Sequence, residues 1–151
     1  MIKSADLRDA IADLIKSRLN LKVFFNHVQN CADDYVFVRL RSKQANESFG
    51  RVQRKILVDF QVVLSPNNAA QVKHTDLLDI VDTLNEETSY PLQILDRYVT
   101  IYDTSSIIFD NILTYSFELN FTDCIESFFD RFNDYDFMEQ LEIANVDITA
   151  P

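Results

Sequence analysis

From Leu113 to Phe121 the chain alternates without a break. Leu113, Tyr115, Phe117, Leu119 and Phe121 are apolar or aromatic, and Thr114, Ser116, Glu118 and Asn120 between them are polar. Successive strand side chains point to opposite faces, so a period of two predicts a strand buried on one side only. Arg51 to Leu64 repeats the signature with Ile56, Val58, Phe60 and Val62 on one face. Tyr35 to Lys43 sets Val36, Val38 and Leu40 against Phe37, Arg39 and Arg41. One-faced strands belong to antiparallel sheets with a single covered side. They require an apolar layer to cover them.

Two helical patterns supply that layer. In Ser4 to Arg18, the residues Leu7, Ile11, Leu14 and Ile15 fall on one stripe, Ser4 is the expected N-cap, and Asp6 suits the positive end of the dipole. From Thr75 to about Glu87, Leu77, Ile80, Val81 and Leu84 form a buried stripe, and Asp76, Asp79, Asp82 and Glu86 form a wet face. Pro91 bars any continuation.

Lys22 to Gln29 is β-branched and aromatic and reads as a first strand. Gln44 to Gly50 reads as a long hairpin loop, and Pro66-Asn67-Asn68 as a turn. Arg97 to Asp103 and Ile107 to Asp123 read as two further strands joined through Thr104-Ser105-Ser106. The order is α-β-β-β-α-β-β followed by a tail. It predicts an α+β fold: a mostly antiparallel sheet with two helices packed on one face and a long β-hairpin arm. At 151 residues the chain has the length of one domain. We expect that domain over 1–124, with 125–151 an acidic aromatic segment that docks on its own sheet or binds a partner.

Catalytic signatures are absent. A single glycine, Gly50, argues against a Gly-rich phosphate loop. Neither His27 nor His74 sits in a metal-ligand spacing, and there is no GxSxG elbow. The pairs Asp33-Asp34 and Glu86-Glu87 read as solvated surface. We therefore expect no enzyme, no cofactor and no metal. Cys31 and Cys124 form no CxxC motif and read as reduced thiols. Charges interrupt the first nineteen residues, and no apolar run approaches the length of a membrane span. The expectation is a protein of a cytoplasm-like compartment with no membrane partner.

Charge divides along the chain. Residues 1–75 carry twelve Lys/Arg against seven Asp/Glu, and residues 76–151 carry two against seventeen. Opposite poles on one molecule favour head-to-tail self-association, which closes into rings or grows into filaments. The basic side concentrates on the hairpin: Arg39, Arg41 and Lys43 share one strand face, and Arg51, Arg54 and Lys55 stand on the returning strand. Such an arm suits contact with an acidic neighbouring subunit, contact with phosphate backbone, or simple solvation. The acidic second half argues against an ordinary DNA-binding domain. The other candidate contact is the aromatic tail, with Phe128, Phe129 and Phe132 interleaved with Asp.

One set of elements is familiar as a whole: a short N-terminal helix, a hairpin arm, the strand Ile56-Leu57-Val58-Asp59-Phe60-Gln61-Val62-Val63-Leu64-Ser65-Pro66, the acidic helix from Thr75 to Glu87, the strand Leu113 to Phe121 and the stretch Met138 to Glu142. This succession resembles the tail terminator, or tail completion, proteins of tailed bacteriophages. The resemblance implies a structural virion protein, assembled in the host cytoplasm. It implies a homo-oligomeric ring, commonly of six copies, that caps the tail tube and meets the head connector at the neck. In that picture the arm from Arg39 to Lys55 reaches a neighbour or the tail tube protein, with at most a passing contact with DNA. A nucleic-acid-binding module using the same arm is the alternative. The long acidic, Phe-rich C-terminal segment departs from the family pattern.

Overall fold

A computed structural model of the chain describes residues 1–26, 32–48, 50–65 and 74–125. Among these residues two helices, α1 (Ser4–Leu19) and α2 (His74–Thr88), accompany seven strands. These are β1 (Lys22–Phe24), β2 (Tyr35–Ser48), β3 (Arg51–Val63), β4 (Leu92–Ile94), β5 (Arg97–Val99), β6 (Ile101–Phe109) and β7 (Ile112–Cys124). Five strands form a sheet in the order β1-β2-β3-β7-β6, and β4 and β5 form a separate ribbon. Every pairing is antiparallel except β1 with β2. The architecture is the α+β class that the alternation predicts.

The inner face of the sheet is the apolar parity of each strand. Val36 and Val38, Ile56, Val58, Phe60 and Val62, and Leu113, Tyr115, Phe117 and Leu119 form one cluster with Leu7, Ile11 and Ile15 of α1 and Leu77, Val81 and Leu84 of α2. Both helices thus cover the same side. Phe60 meets Phe117 edge-on at 5.4 Å between ring centroids, an arrangement that the ring quadrupoles favour. The Tyr115 hydroxyl donates to Asn85 Oδ1 at 2.9 Å and lies 2.8 Å from the Thr88 hydroxyl, so a buried polar contact fixes the end of α2 on the sheet.

A second polar knot closes the opposite end. Asp123 lies on the inward parity of β7 and is 2% exposed. Its carboxylate accepts the Ile2 main-chain N–H at 2.9 Å and Arg97 Nη1 at 2.7 Å, with Arg54 Nη1 at 3.6 Å. Arg54 also donates to the Ile2 carbonyl, and Arg97 to the Thr122 carbonyl at 2.9 Å. Both guanidinium groups lie over the Phe121 ring. One carboxylate therefore joins the N-terminus, the β4–β5 ribbon and strands β3 and β7.

Several boundaries differ from expectation, each for a local reason. The N-cap is Lys3, not Ser4: Lys3 keeps an extended backbone, and its N–H donates to Asp6 Oδ2 at 2.8 Å. Strand β1 stops at Phe24, and residues 27–29 of the expected strand lie outside the described residues. The 44–50 loop is mostly strand. Gln44, Ala45 and Asn46 pair with Arg54, Gln53 and Val52, β2 runs on to Ser48, and Gly50 takes φ 68° just before β3.

The expected turn at Thr104-Ser105-Ser106 lies inside β6. Its polar run marks a bulge, in which the register shifts between Tyr102 and Ser105 and Asp103 takes φ 50°. The reversal comes instead at Asp110-Asn111, both at positive φ, as a two-residue hairpin turn of mirror-image type requires. Arg97 opens no long strand: β5 pairs with β4 through a turn at Leu95 and Asp96.

The Asp123 knot yields the first prediction. Asp123→Ala leaves the 8%-exposed Arg54 without its counter-charge, and urea unfolding is expected to show a loss of about 3–5 kcal/mol. A loss under about 1 kcal/mol would mean that the knot is ornamental, within the range of an ordinary surface change.

Candidate functional site

Because α1 and α2 lie on one side of the sheet, its other face has no helix over it among the described residues. The register lays this outer face out in rows. Nearest the hairpin turn, Arg51 stands beside Ser48 and Cys124, then Gln53 beside Ala45 and Thr122, then Lys43 beside Lys55 and Asn120; next come Arg41, Leu57, Glu118 and Tyr102; then Arg39, Asp59, Ser116 and Ser105. The last two rows are Phe37, Gln61, Thr114 and Ile107, and Tyr35, Val63, Ile112 and Phe109. The face grades from cationic at β2 and β3 to apolar at the β6–β7 turn. Ile107 is 66% exposed and Phe109 74%, a clustering that scattered surface hydrophobics do not show.

Two cations on this face are already neutralised. Arg41 pairs with Asp59 at 2.9 Å, and Lys55 with Glu118 at 2.7 Å. Among the described residues Arg39 and Lys43 have no ion-pair partner. Phe37, Arg39, Arg41, Asp59, Gln61 and Thr114 line a shallow depression of about 200 Å³. An unpaired guanidinium beside a phenyl ring, in such a depression, suits a carboxylate with an apolar neighbour. Strand β1 pairs only with Tyr35–Phe37, so among the described residues the edge of β2 from Val38 to Ser48 has no strand beyond it. Helix α2, in the layer behind, is opposite in sign: it exposes Asp76, Asp79, Asp82 and Glu86 and contains no Lys or Arg.

A family model described as phage tail terminator protein matches residues 6–128. The chain belongs to the phage tail terminator family. It is thus a structural protein of the bacteriophage tail and a virion component. No curated protein matches it. The matched stretch runs from α1 through β7, so it contains the whole open face of this tail protein. Most of the C-terminal segment, residues 129–151, lies beyond the match.

Of the residues singled out by sequence in this terminator-family chain, Arg39, Arg41, Lys43 and Lys55 share the outer face, and Arg51 is exposed at the hairpin end. Arg54 is a correction. It falls on the inward parity with Val52 and Ile56 and is consumed by Asp123 and Ile2, so it is not part of the exposed basic surface. Nor does the hairpin stand free, since β7 pairs with β3 along its full length. Phe128, Phe129 and Phe132 lie outside the described residues. Sequence reasoning missed the apolar end of the face, Tyr102, Ile107, Phe109 and Ile112. The signal was the Asp110-Asn111 turn, which makes Phe109 and Ile112 cross-strand neighbours.

Lys43 and Lys55 oppose each other directly, and like charges in that position destabilise a sheet. Lys43→Glu is expected to raise thermal stability, by about 0.2–1 kcal/mol on the scale of cross-strand pairs. A fall in melting temperature would contradict this account of the face.

Proposed function

We propose that the chain closes a homo-oligomeric ring at the end of the tail tube and joins the tail to the head connector. The observation that carries this reading is the separation of charge between layers: unpaired cations and apolar residues on the open sheet face, carboxylates along α2 behind it. A surface of one kind on one side and its complement on the other makes contacts between copies heterologous. A heterologous contact with a suitable rotation closes into a ring. Six is the copy number that the family resemblance implies. The unpaired β2 edge and the outer face supply contact surface for a neighbour and for the tube protein. In this reading residues 1–124 are the assembling unit, 125–151 an appended segment, and assembly takes place in the host cytoplasm.

The protein acts by shape and charge rather than by catalysis. Neutralisation of Arg41 and Lys55 by Asp59 and Glu118 supports a protein partner over DNA. A phosphate-backbone site gains affinity from each cation that is free to displace counterions, and here two of the face's five Lys/Arg, Arg41 and Lys55, are committed internally. Contact with DNA in this reading is incidental.

Native mass spectrometry, with and without purified tail tube protein, tests the proposal. With the tube protein present the wild type is expected to give a discrete ring mass, and Arg39→Glu combined with Lys43→Glu to shift it toward monomer. A wild type that stays monomeric in both conditions would overturn the reading.

A further inference from the structure

The open face lacks a cover among the described residues, yet it combines exposed aromatic and aliphatic side chains with unpaired cations. The chain itself contains a segment of complementary chemistry. Residues 126–151 carry seven Asp/Glu against one Arg, and Phe128, Phe129, Phe132, Tyr135 and Phe137 are interleaved with Asp130, Asp134 and Asp136. We propose that this C-terminal segment docks on the outer face of its own sheet, its phenyl rings on the Ile107–Phe109–Ile112 end and its carboxylates on Arg39 and Lys43.

Three observations support this occupant. The first is the starting point: Ile125 N–H donates to the Gly50 carbonyl at 2.8 Å, so the segment leaves from the cationic end of the face. The second is reach. Twenty-six residues extend to about 86 Å, whereas the thirteen-residue strands span about 43 Å, at about 3.3 Å per residue. The segment therefore runs the length of the face with chain to spare. The third is the depression between Phe37 and Arg39, which offers a guanidinium and a ring side by side, matching the Phe-Asp steps of the segment. Tethering decides between this face and that of a second copy, because docking on its own face is intramolecular and needs no encounter.

The consequence rests on the ring reading of the preceding subsection. A subunit whose contact face is covered by its own tail does not pair with other free subunits. Displacement of the tail by a neighbour on the tube end then confines assembly to that end.

Hydroxyl-radical footprinting of the full chain tests the docking, at a concentration where native mass spectrometry reports monomer. Phe109 and Tyr102, on the face, are compared with Tyr98, which is 69% exposed on β5 away from it. In the wild type Phe109 and Tyr102 are expected to be protected relative to Tyr98. Replacing Phe128, Phe129 and Phe132 together by Ser should raise their labelling severalfold and leave Tyr98 unchanged. Arg39→Glu, made on the receiving face, should act in the same direction and serves if the triple variant folds poorly. Equal labelling in wild type and variants would overturn the proposal. So would protection that survives the substitutions, or that appears only when the protein oligomerises; a second copy would then be the cover, and the ring reading would stand alone. Failure of ring formation with the tube protein, alongside a protected face, would instead remove the assembly consequence and leave the docking.

Discussion

Strands β3 and β7 pair over thirteen residues in unbroken antiparallel register, from Arg51 opposite Cys124 to Val63 opposite Ile112. Everything else is arranged around this ladder. It aligns Ile56, Val58, Phe60 and Val62 with Leu119, Phe117, Tyr115 and Leu113, so the two apolar parities coincide on one face. A slip of one residue would turn either row to the other side, which is why the register is strongly specified wherever one face is buried. The helices then have only one surface on which to bury their stripes. The opposite surface has no helix over it among the described residues.

The two buried polar sites complete that division. Tyr115 anchors α2 through Asn85 and Thr88 near one end of the ladder, and Asp123 gathers Ile2, Arg54 and Arg97 near the other. Each closes a place where hydrophobic packing alone would leave an element free to slide. Ion clusters of this kind seldom add much net stability over an apolar substitute, but losing one member exposes the others to the full cost of desolvation. The Asp123 cluster joins sequence-distant parts, from residue 2 to residue 123, and so acts only once the chain is folded.

Membership of the tail terminator family gives the open face its context. A tail component works beside other tail and head proteins, and the graded face is suited to protein contact. Its cations are partly neutralised, its apolar end is concentrated at one hairpin, and the acids of α2 lie in the other layer. Such a surface distinguishes a protein partner by the match of charge and shape rather than by charge density alone.

The alternation within β2, β3 and β7 and the stripes of α1 and α2 made the fold class legible from sequence, because periods of two and of 3.6 are direct consequences of backbone geometry. The burial of Arg54 was legible too, since it occupies the apolar parity between Val52 and Ile56, though its positive charge drew attention to the surface instead. Asp110-Asn111 announced a turn that the Thr104-Ser105-Ser106 run obscured, as a bulge and a turn use the same small polar residues. What no local pattern contained is which distant side chains meet. The choice of Arg54 and Arg97 as partners for Asp123, the neutralisation of Arg41 by Asp59, and the convergence of Ile107, Phe109 and Ile112 beside a row of cations depend on strand order and register. Those are settled by the packing of the whole sheet against its helices, since period and propensity act over a few residues and pairing acts over a hundred.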